Sequence, residues 1–567
     1  MKKLLAFTLL YLAVATGSAY ACSNLIVTKG ASKDGSVFVT YTADSHSLYG
    51  ELYFWPAAKH KPGAMRAIKE WDSGKPLGMI KEVPETYRVI GNMNEHSVVI
   101  GETTYTGRTE LIDTTAIMDY GSLIYVTLTR AKTAREAVKT MTGLVAEYGY
   151  YSSGESFSIA DPNEAWILEM IGKGPGNKGA VWVAVRIPDG YISGHANQAR
   201  IQTFPLENGT TSISSKNIDR IFDPAVEIVY AHDVISVARE KGYFSGKDEE
   251  FSFSDTYNPV DFGGARFCDA RVWSFFREYD KSMDNHLDYA MGKNLKNRMP
   301  LYIKPDRKLD LHDVAHAMRN HFEGTPLDMT ADIGAGPFKL PYRWRPMEWN
   351  YNGTTFIHER AIATQQTGWW YVSQCRSWLP NAIGGILWFS VDDPATSCLT
   401  PVYCSSTSVP QPFAVGNGDL LTYSETAAFW IFTRVTHFAY LRYDAVSAEI
   451  QKVQQDWERT QAEKVKEIDQ KALALYNKSK NNTNAVTKVL TDYSVKAAND
   501  LMARWKQLDA YLLVKYADGN VKKETPDGKF KRNAYGLPAS PSQPPYPQSW
   551  YKAIVYDAGE KLQEIKQ

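Results

Sequence analysis

The sequence predicts an α+β protein, with a strand-rich body over residues 22–440 and a helical extension over residues 441–567. Three patterns carry that prediction. Short apolar runs recur on either side of turn residues, as in Asn24–Val27 and Val37–Tyr41 around Lys33-Asp34-Gly35-Ser36. Between such runs lies Ala134–Tyr148, where Ala, Val, Met and Leu return at helical spacing. Beyond residue 440 the composition changes. Tyr443–Asn481 and Asn484–Tyr516 are rich in Glu, Gln, Lys and Ala, with apolar residues at helical spacing, and read as an antiparallel pair.

The chain opens with a basic pair, Lys2-Lys3, and an apolar run from Leu4 to Val14. That run is too short for a bilayer span, and Ala19 and Ala21 are the small residues a signal peptidase reads. Residues 1–21 therefore read as a signal peptide. The expectation is a soluble, exported protein, periplasmic or extracellular, whose mature chain begins at Cys22. A thiol and a titratable amine then share one residue. The amine titrates near 7.7–8.0 and the thiol near about 8.5, so the amine can act as base for its own side chain. The rival reading is a lipid-anchored cysteine. A lipid-attachment signal usually has Leu three residues before the Cys and a small residue between; here those places hold Ala19 and Tyr20.

Composition narrows the partners. Lys+Arg and Asp+Glu both number 63, which argues against nucleic acid. No later stretch is long and apolar enough to span a membrane. Fifteen Trp and 34 Tyr suit a large β-rich body with an aromatic-lined cleft. Five cysteines leave at least one thiol outside intrachain pairs. With Cys22 set aside, Cys398 and Cys404 flank Pro401 closely enough for a small disulfide loop; Cys268 and Cys375 are left without an assigned pairing. No spacing matches a zinc site. His312 and His316 superficially imitate a zinc-protease helix, but the Glu that motif needs is missing and no third ligand is evident. No metal or organic cofactor is expected, and oligomeric state stays open.

In chain order, the first hairpin returns Thr42-Ala43-Asp44 to the neighbourhood of Cys22, where a carboxylate can hold or orient the amine. Gly91–His96 and Val98–Thr104 read as a turn and a strand. Gly154–Glu169 reads as two strands around Asp161-Pro162-Asn163. Val181–Ile187 is a further strand. Gly172–Asn177 before it lacks a phosphate-loop pattern and reads as a hairpin loop. Gly194-His195-Ala196-Asn197 falls at a strand end. Ala265–Trp273 carries Arg266 and Arg271. Leu311–Phe322 reads as a helix before Glu323-Gly324-Thr325, and Leu537–Gln548 as a Pro-rich strap.

Cys22 to Ser36 followed by Asp44, together with Gly91–Thr104, Gly154–Glu169, Gly194–Ile201 and Asn258–Trp273, resembles the cysteine dipeptidases among the N-terminal-nucleophile (Ntn) hydrolases. These are relatives of penicillin V acylase and the bile salt hydrolases. The resemblance implies a four-layer αββα sandwich and a thiol protease acting on dipeptides. It implies Cys22 as nucleophile, Asp44 beside it, Asn197 as oxyanion donor and Arg271 as the nearby arginine, with Arg266 as runner-up. Many members carry Arg three residues before that Asp, where this chain has Tyr41. Relatives place an Asn near Thr103 and Thr104, so a backbone donor is expected there. Glu102 and Arg271 are the candidates to meet a dipeptide's amine and carboxylate. The alternatives are an acylase on bile-salt conjugates or penicillin V, and a lipid-anchored binding protein.

Overall fold

The structure, a computed structural model, describes residues 22–344, 346–478 and 483–566. The expected signal peptide lies outside the described residues. Two sheets form the body. In the smaller, seven strands follow the order Tyr302–Ile303, Ile192–His195, Asn24–Val27, Val37–Asp44, Thr367–Cys375, Gly385–Val391 and Thr400–Tyr403. The larger has nine, with Ala180–Arg186, Ala165–Gly172, Glu155–Ala160 and Val99–Thr104 as consecutive neighbours near its middle.

The first hairpin forms as its sequence predicts. Asp34 accepts the Ser36 backbone N–H at 2.9 Å, and Gly35 takes φ +81°. That left-handed conformation suits Gly because it has no Cβ. Ile26 pairs with Val39 and Val27 with Phe38. The return strand runs through to Asp44 and sits between Asn24–Val27 and Thr367–Cys375. Its alternation sorts the core. Val37, Val39, Tyr41 and Ala43 join the core shared with the larger sheet, whereas Phe38, with Leu25 and Val27, packs into a second core among helices.

That second core takes in Val272, Trp273 and Phe276 of the helix Ala270–Tyr279 and Val314 of Leu311–Ala317. Ala134–Tyr148 packs on strands of the larger sheet. Its Thr133 hydroxyl accepts the Glu136 N–H at 3.1 Å, and Gly149 ends it at φ +79°.

The two long helices, Tyr443–Lys478 and Asn484–Tyr516, run antiparallel. Gln461 meets Tyr493, and Glu449 meets Lys515. They are packed into the body. Leu501, Trp505, Leu508 and Leu512, at helical spacing, bury into the main core. Arg319 forks onto Glu458 at 2.6 and 3.1 Å, tying the first long helix to the segment after Leu311–Ala317. Residues 537–547 run without helix over an exposed surface before the helix Gln548–Ala558.

The expected Cys398–Cys404 disulfide is not formed; all five cysteines are free. Cys398 points at Glu458 (3.6 Å), whereas Cys404 follows the Thr400–Tyr403 strand and points at the Ser97 hydroxyl (3.8 Å). Proximity along the chain loses to divergent side-chain directions. Cys375 faces the Ser97 carbonyl at 3.3 Å, while Cys268 lies beside Arg271. The Gly172–Asn177 segment is a hairpin loop, with Gly172 opposite Ala180. Among the described residues no group of three or more His, Cys, Asp or Glu is arranged to hold a metal ion, and no helix is long and apolar enough to cross a membrane. His312 is exposed, and His316 lies 3.8 Å from Glu278.

Candidate active site

Cys22 stands just before Asn24–Val27, the strand beside the central Val37–Asp44 strand of the smaller sheet. Ser23, its neighbour, bridges to Thr42: the Thr42 N–H donates to the Ser23 carbonyl and the Ser23 N–H to the Thr42 hydroxyl, each at 3.0 Å. This pairing sets the thiol beside Ala43 and Asp44. The Cys22 Sγ–H points at the Tyr41 hydroxyl at 3.8 Å, and the Asp44 backbone N–H hydrogen-bonds toward the sulfur. Burial pushes the thiol well above its ordinary pKa, and the Glu102 and Asp44 carboxylates push the same way. Cys22 is therefore held as a thiol at neutral pH.

Asp44 lies within this cluster, fully buried. Its carboxylate is held by Arg360 Nη2 at 2.7 Å, the Thr367 hydroxyl at 2.6 Å and the Thr42 hydroxyl at 2.8 Å. The hairpin thus returns Asp44 to Cys22 as expected, but the atom it turns to the sulfur is its backbone nitrogen. Arg360 is absent from the sequence reading. It lies 316 residues from Asp44, with no local motif to mark it.

Arg271 also reaches the nucleophile, from the peptide side. Its Nη1 donates to the Cys22 carbonyl at 2.5 Å and to Ser23 Oγ at 2.9 Å; its Nη2 donates to the Ala196 carbonyl and to Asn197 Oδ1 at 2.8 Å. Burial and the neighbouring Arg360 lower its pKa to about 10, so it stays charged. A buried guanidinium this occupied clamps backbone, which departs from the expected role of meeting a substrate carboxylate. It follows a π-helical segment, Gly264–Asp269, a distortion common at functional sites. Arg266 lies in that segment and pairs with Glu359 at 3.1 Å.

Asn197 follows the Ile192–His195 strand at φ +59°, a left-handed conformation that Asn tolerates and that concentrates at functional turns. Its Nδ2 donates to the Thr104 carbonyl at 2.6 Å, and its N–H to the Thr103 hydroxyl at 3.1 Å. Thr103 and Thr104 thus position Asn197. His195, passed over in the sequence, is fully buried between the Thr103 and Ser158 hydroxyls at 2.7 Å each. Burial drops its pKa to about 3, so it is neutral.

Glu102 differs most from expectation. It is 2% exposed and lies behind Tyr41, whose hydroxyl donates to Glu102 Oε1; a direct contact with a substrate amine is closed to it. Glu155 shares its face of the sheet. Thr104 and Glu155 are directly opposite, and Glu102 stands one alternation back. The two carboxyl groups hydrogen-bond to each other, and the Thr104 hydroxyl donates to Glu155 Oε1 at 2.9 Å.

A mixed α+β body in which a buried cysteine meets carboxylates and an arginine fits a hydrolase, and comparison with known proteins makes the assignment specific. Residues 55–456 match Peptidase family C69, and the chain belongs to that family. Cys22 itself lies before the matched range. Among similar proteins, a "Probable dipeptidase" of Salmonella dublin is 25% identical over 71% of this chain and 85% of its own. A "Dipeptidase" of Bifidobacterium longum is 24% identical over 69% of this chain and 72% of its own, and a "Probable dipeptidase" of Latilactobacillus sakei 22% over 78% and 86%. The chain is thus similar to dipeptidases along most of its length, and the family makes it a peptidase.

Proposed function

We propose that this protein is an exported cysteine dipeptidase of the Ntn type, working in a periplasm or outside the cell. Cleavage after Ala21 frees Cys22, and residues 22–440 form the catalytic domain, with 441–567 as its helical extension. The observation that carries the reading is the convergence on Cys22 of the Tyr41 hydroxyl, the Asp44 backbone N–H and the Arg271 clamp. Two facing sheets with helices outside them support the four-layer αββα arrangement.

The Cys22 sulfur attacks the scissile carbonyl. Asn197 keeps one N–H on the Thr104 carbonyl and offers its second to the oxyanion. The free α-amine carries protons: it takes one from the thiol and donates it to the leaving nitrogen, then accepts one from the water that opens the thioester and returns it to the departing sulfur. Substrates are dipeptides, consistent with the names of the similar proteins.

The test is hydrolysis of a mixed dipeptide panel by the chain beginning at Cys22, beside Cys22→Ala, with the N-terminus defined by mass. Free amino acids from the wild type alone support the proposal. Equal release by both removes Cys22 from the chemistry. A panel left intact by both, with bile-salt conjugates or penicillin V cleaved instead, replaces dipeptidase by acylase.

A further inference from the structure

The left-handed turn at Asn197 is held by a chain of side chains that crosses from one sheet to the other. Asn197 stands at φ +59° and gives its backbone N–H to the Thr103 hydroxyl at 3.1 Å. The same hydroxyl lies 2.7 Å from His195 Nδ1, and the Ser158 hydroxyl lies 2.7 Å from His195 Nε2. His195 closes the strand Ile192–His195 of the smaller sheet, where it pairs with Asn24, two residues after Cys22. Thr103 and Ser158 belong to neighbouring strands of the larger sheet, with Gly101 opposite Ser158. The imidazole thus spans the gap between the sheets close to the nucleophile. His195, Thr103 and Ser158 are all fully buried.

The donors fix the direction of this chain. A hydroxyl has one hydrogen to give and two lone pairs. The Asn197 N–H can only donate, so it occupies one lone pair of Thr103. Burial, with the Arg200 charge adding, lowers the His195 pKa to about 3, so the ring is neutral and one of its nitrogens accepts. With Nδ1 as the acceptor, the Thr103 hydroxyl accepts from Asn197 and donates to the ring, and Nε2–H donates to Ser158. Each bond then polarises the next in the same sense. With Nε2 as the acceptor, two N–H groups crowd onto Thr103, and the Thr103 hydrogen has no acceptor among the described residues. One hydroxyl hydrogen is left over either way; the first direction leaves it on Ser158, at the far end of the ring from Asn197.

We propose that His195 is a positioning residue for the oxyanion donor: a neutral imidazole with its hydrogen on Nε2 fixes the Thr103 hydroxyl, and that hydroxyl holds the Asn197 turn. This rests on the dipeptidase reading and on Asn197 as its oxyanion donor. Thr103 grips the Asn197 backbone, while Arg271 grips the side chain through Oδ1 at 2.8 Å, which leaves Nδ2 to the Thr104 carbonyl and the substrate. Downstream, Glu169 accepts the Arg200 N–H at 2.5 Å and the Ile201 N–H at 3.0 Å, so the end of the turn is anchored without the ring. Loss of His195 frees the Thr103 hydroxyl to rotate and lets the amide drift from the oxyanion while the fold stands. A charged imidazolium would do the same damage, because its Nδ1–H would compete with Asn197 for Thr103.

Kinetics and the ring's own spectrum test this role. In His195→Leu, kcat on a dipeptide falls by about tenfold or more, and no further than the roughly 10²–10³-fold that losing an oxyanion donor costs, with KM little changed. His195→Asn, whose Oδ1 takes the place of Nδ1 as acceptor for Thr103, recovers most of that loss. In an Asn197→Ala background His195→Leu lowers kcat no further, because the group it positions is gone. In nitrogen-15 spectra of histidine-labelled wild type, His195, identified by its absence from His195→Asn, carries hydrogen on Nε2 alone and does not titrate between about pH 5 and 8. Melting curves verify that each variant is folded. Wild-type kcat in His195→Leu, a His195→Asn no better than His195→Leu, or the full His195→Leu loss on top of Asn197→Ala overturns the proposal. So does a hydrogen on Nδ1, or a titration in that range. A wild type that cleaves no dipeptide refutes the function and this role with it, whereas the wrong tautomer in an active enzyme overturns the inference alone.

Discussion

Replacing Arg360 by Met should destabilise the protein by about 3 kcal/mol and lower its activity. Asp44 is fully buried and Arg360 is 6% exposed, so water cannot take over when either is lost. Breaking a buried pair by removing one partner costs about 3–5 kcal/mol, because the other charge is left in a poor dielectric. The lower figure applies, since Asp44 keeps the Thr367 hydroxyl at 2.6 Å and the Thr42 hydroxyl at 2.8 Å. Urea unfolding followed by tryptophan fluorescence, on Arg360→Met, Asp44→Asn and the double variant, measures the coupling. The double variant should be more stable than the sum of the singles implies, by about 1.5 kcal/mol or more. Singles that add to within about 0.5 kcal/mol would mean that the two side chains do not depend on each other, and would refute the pairing argument. Turnover should fall alongside stability, because the Asp44 backbone N–H that meets the sulfur is held by the same anchor.

Three further outcomes follow from the geometry. Asn197→Ala should lower kcat by about 10²–10³ with a smaller change in KM, as loss of one oxyanion donor does; steady-state kinetics that show KM alone rising would assign Asn197 to ground-state binding. Gly154→Ala should destabilise by about 1–3 kcal/mol, since its Cβ would stand 1.9 Å from a Tyr105 ring carbon. Tyr105 is fully buried, with its hydroxyl on the Met170 carbonyl at 2.8 Å, so a variant melting like wild type would show that the ring can yield. Burial, with Asp393 adding, raises buried Asp392 to about 7, above its unfolded value of about 3.9. A raised folded pKa gives stability that is whole below about pH 3.9 and is lost as pH rises through 7. Asp392→Asn should therefore gain on wild type between pH 4 and 7, by up to about 4 kcal/mol, and parallel melting-temperature profiles would contradict this.

How much of the site was legible follows the range of the interactions. The hairpin was readable because its signal is local: an Asp-Gly turn between two apolar runs fixes a register, and register brings Asp44 to Cys22. Asn197 and Arg271 were found by resemblance at the ends of their elements, and they do converge on the cluster. Arg360 and Glu155 were missed for another reason. Arg360 sits in an irregular segment between the exposed strand Thr354–Ile357 and the strand Thr367–Cys375, and only the closed sheet brings it to Asp44. Glu155 did carry a signal. A Glu inside a strand that buries all six residues has to find a partner, and Glu102 stands in a neighbouring strand of the same kind. The disulfide expectation failed because sequence separation says nothing of side-chain direction once a strand has begun.

Tyr41 stands where the resemblance read from the sequence implies an arginine, and the difference has a physical meaning. An arginine at that position would stabilise a thiolate by charge. Tyr41 does not: the thiol beside it is raised by burial and by two carboxylates. A raised thiol is a stronger nucleophile once deprotonated but needs a base at the moment of attack. In the proposed reaction that base is the free α-amine of Cys22. The geometry makes a sharp prediction for Tyr41→Arg. The guanidinium would pair with Glu102, lower the thiol pKa and speed alkylation of Cys22. An alkylation rate in Tyr41→Arg equal to that of the wild type across pH would refute the charge argument.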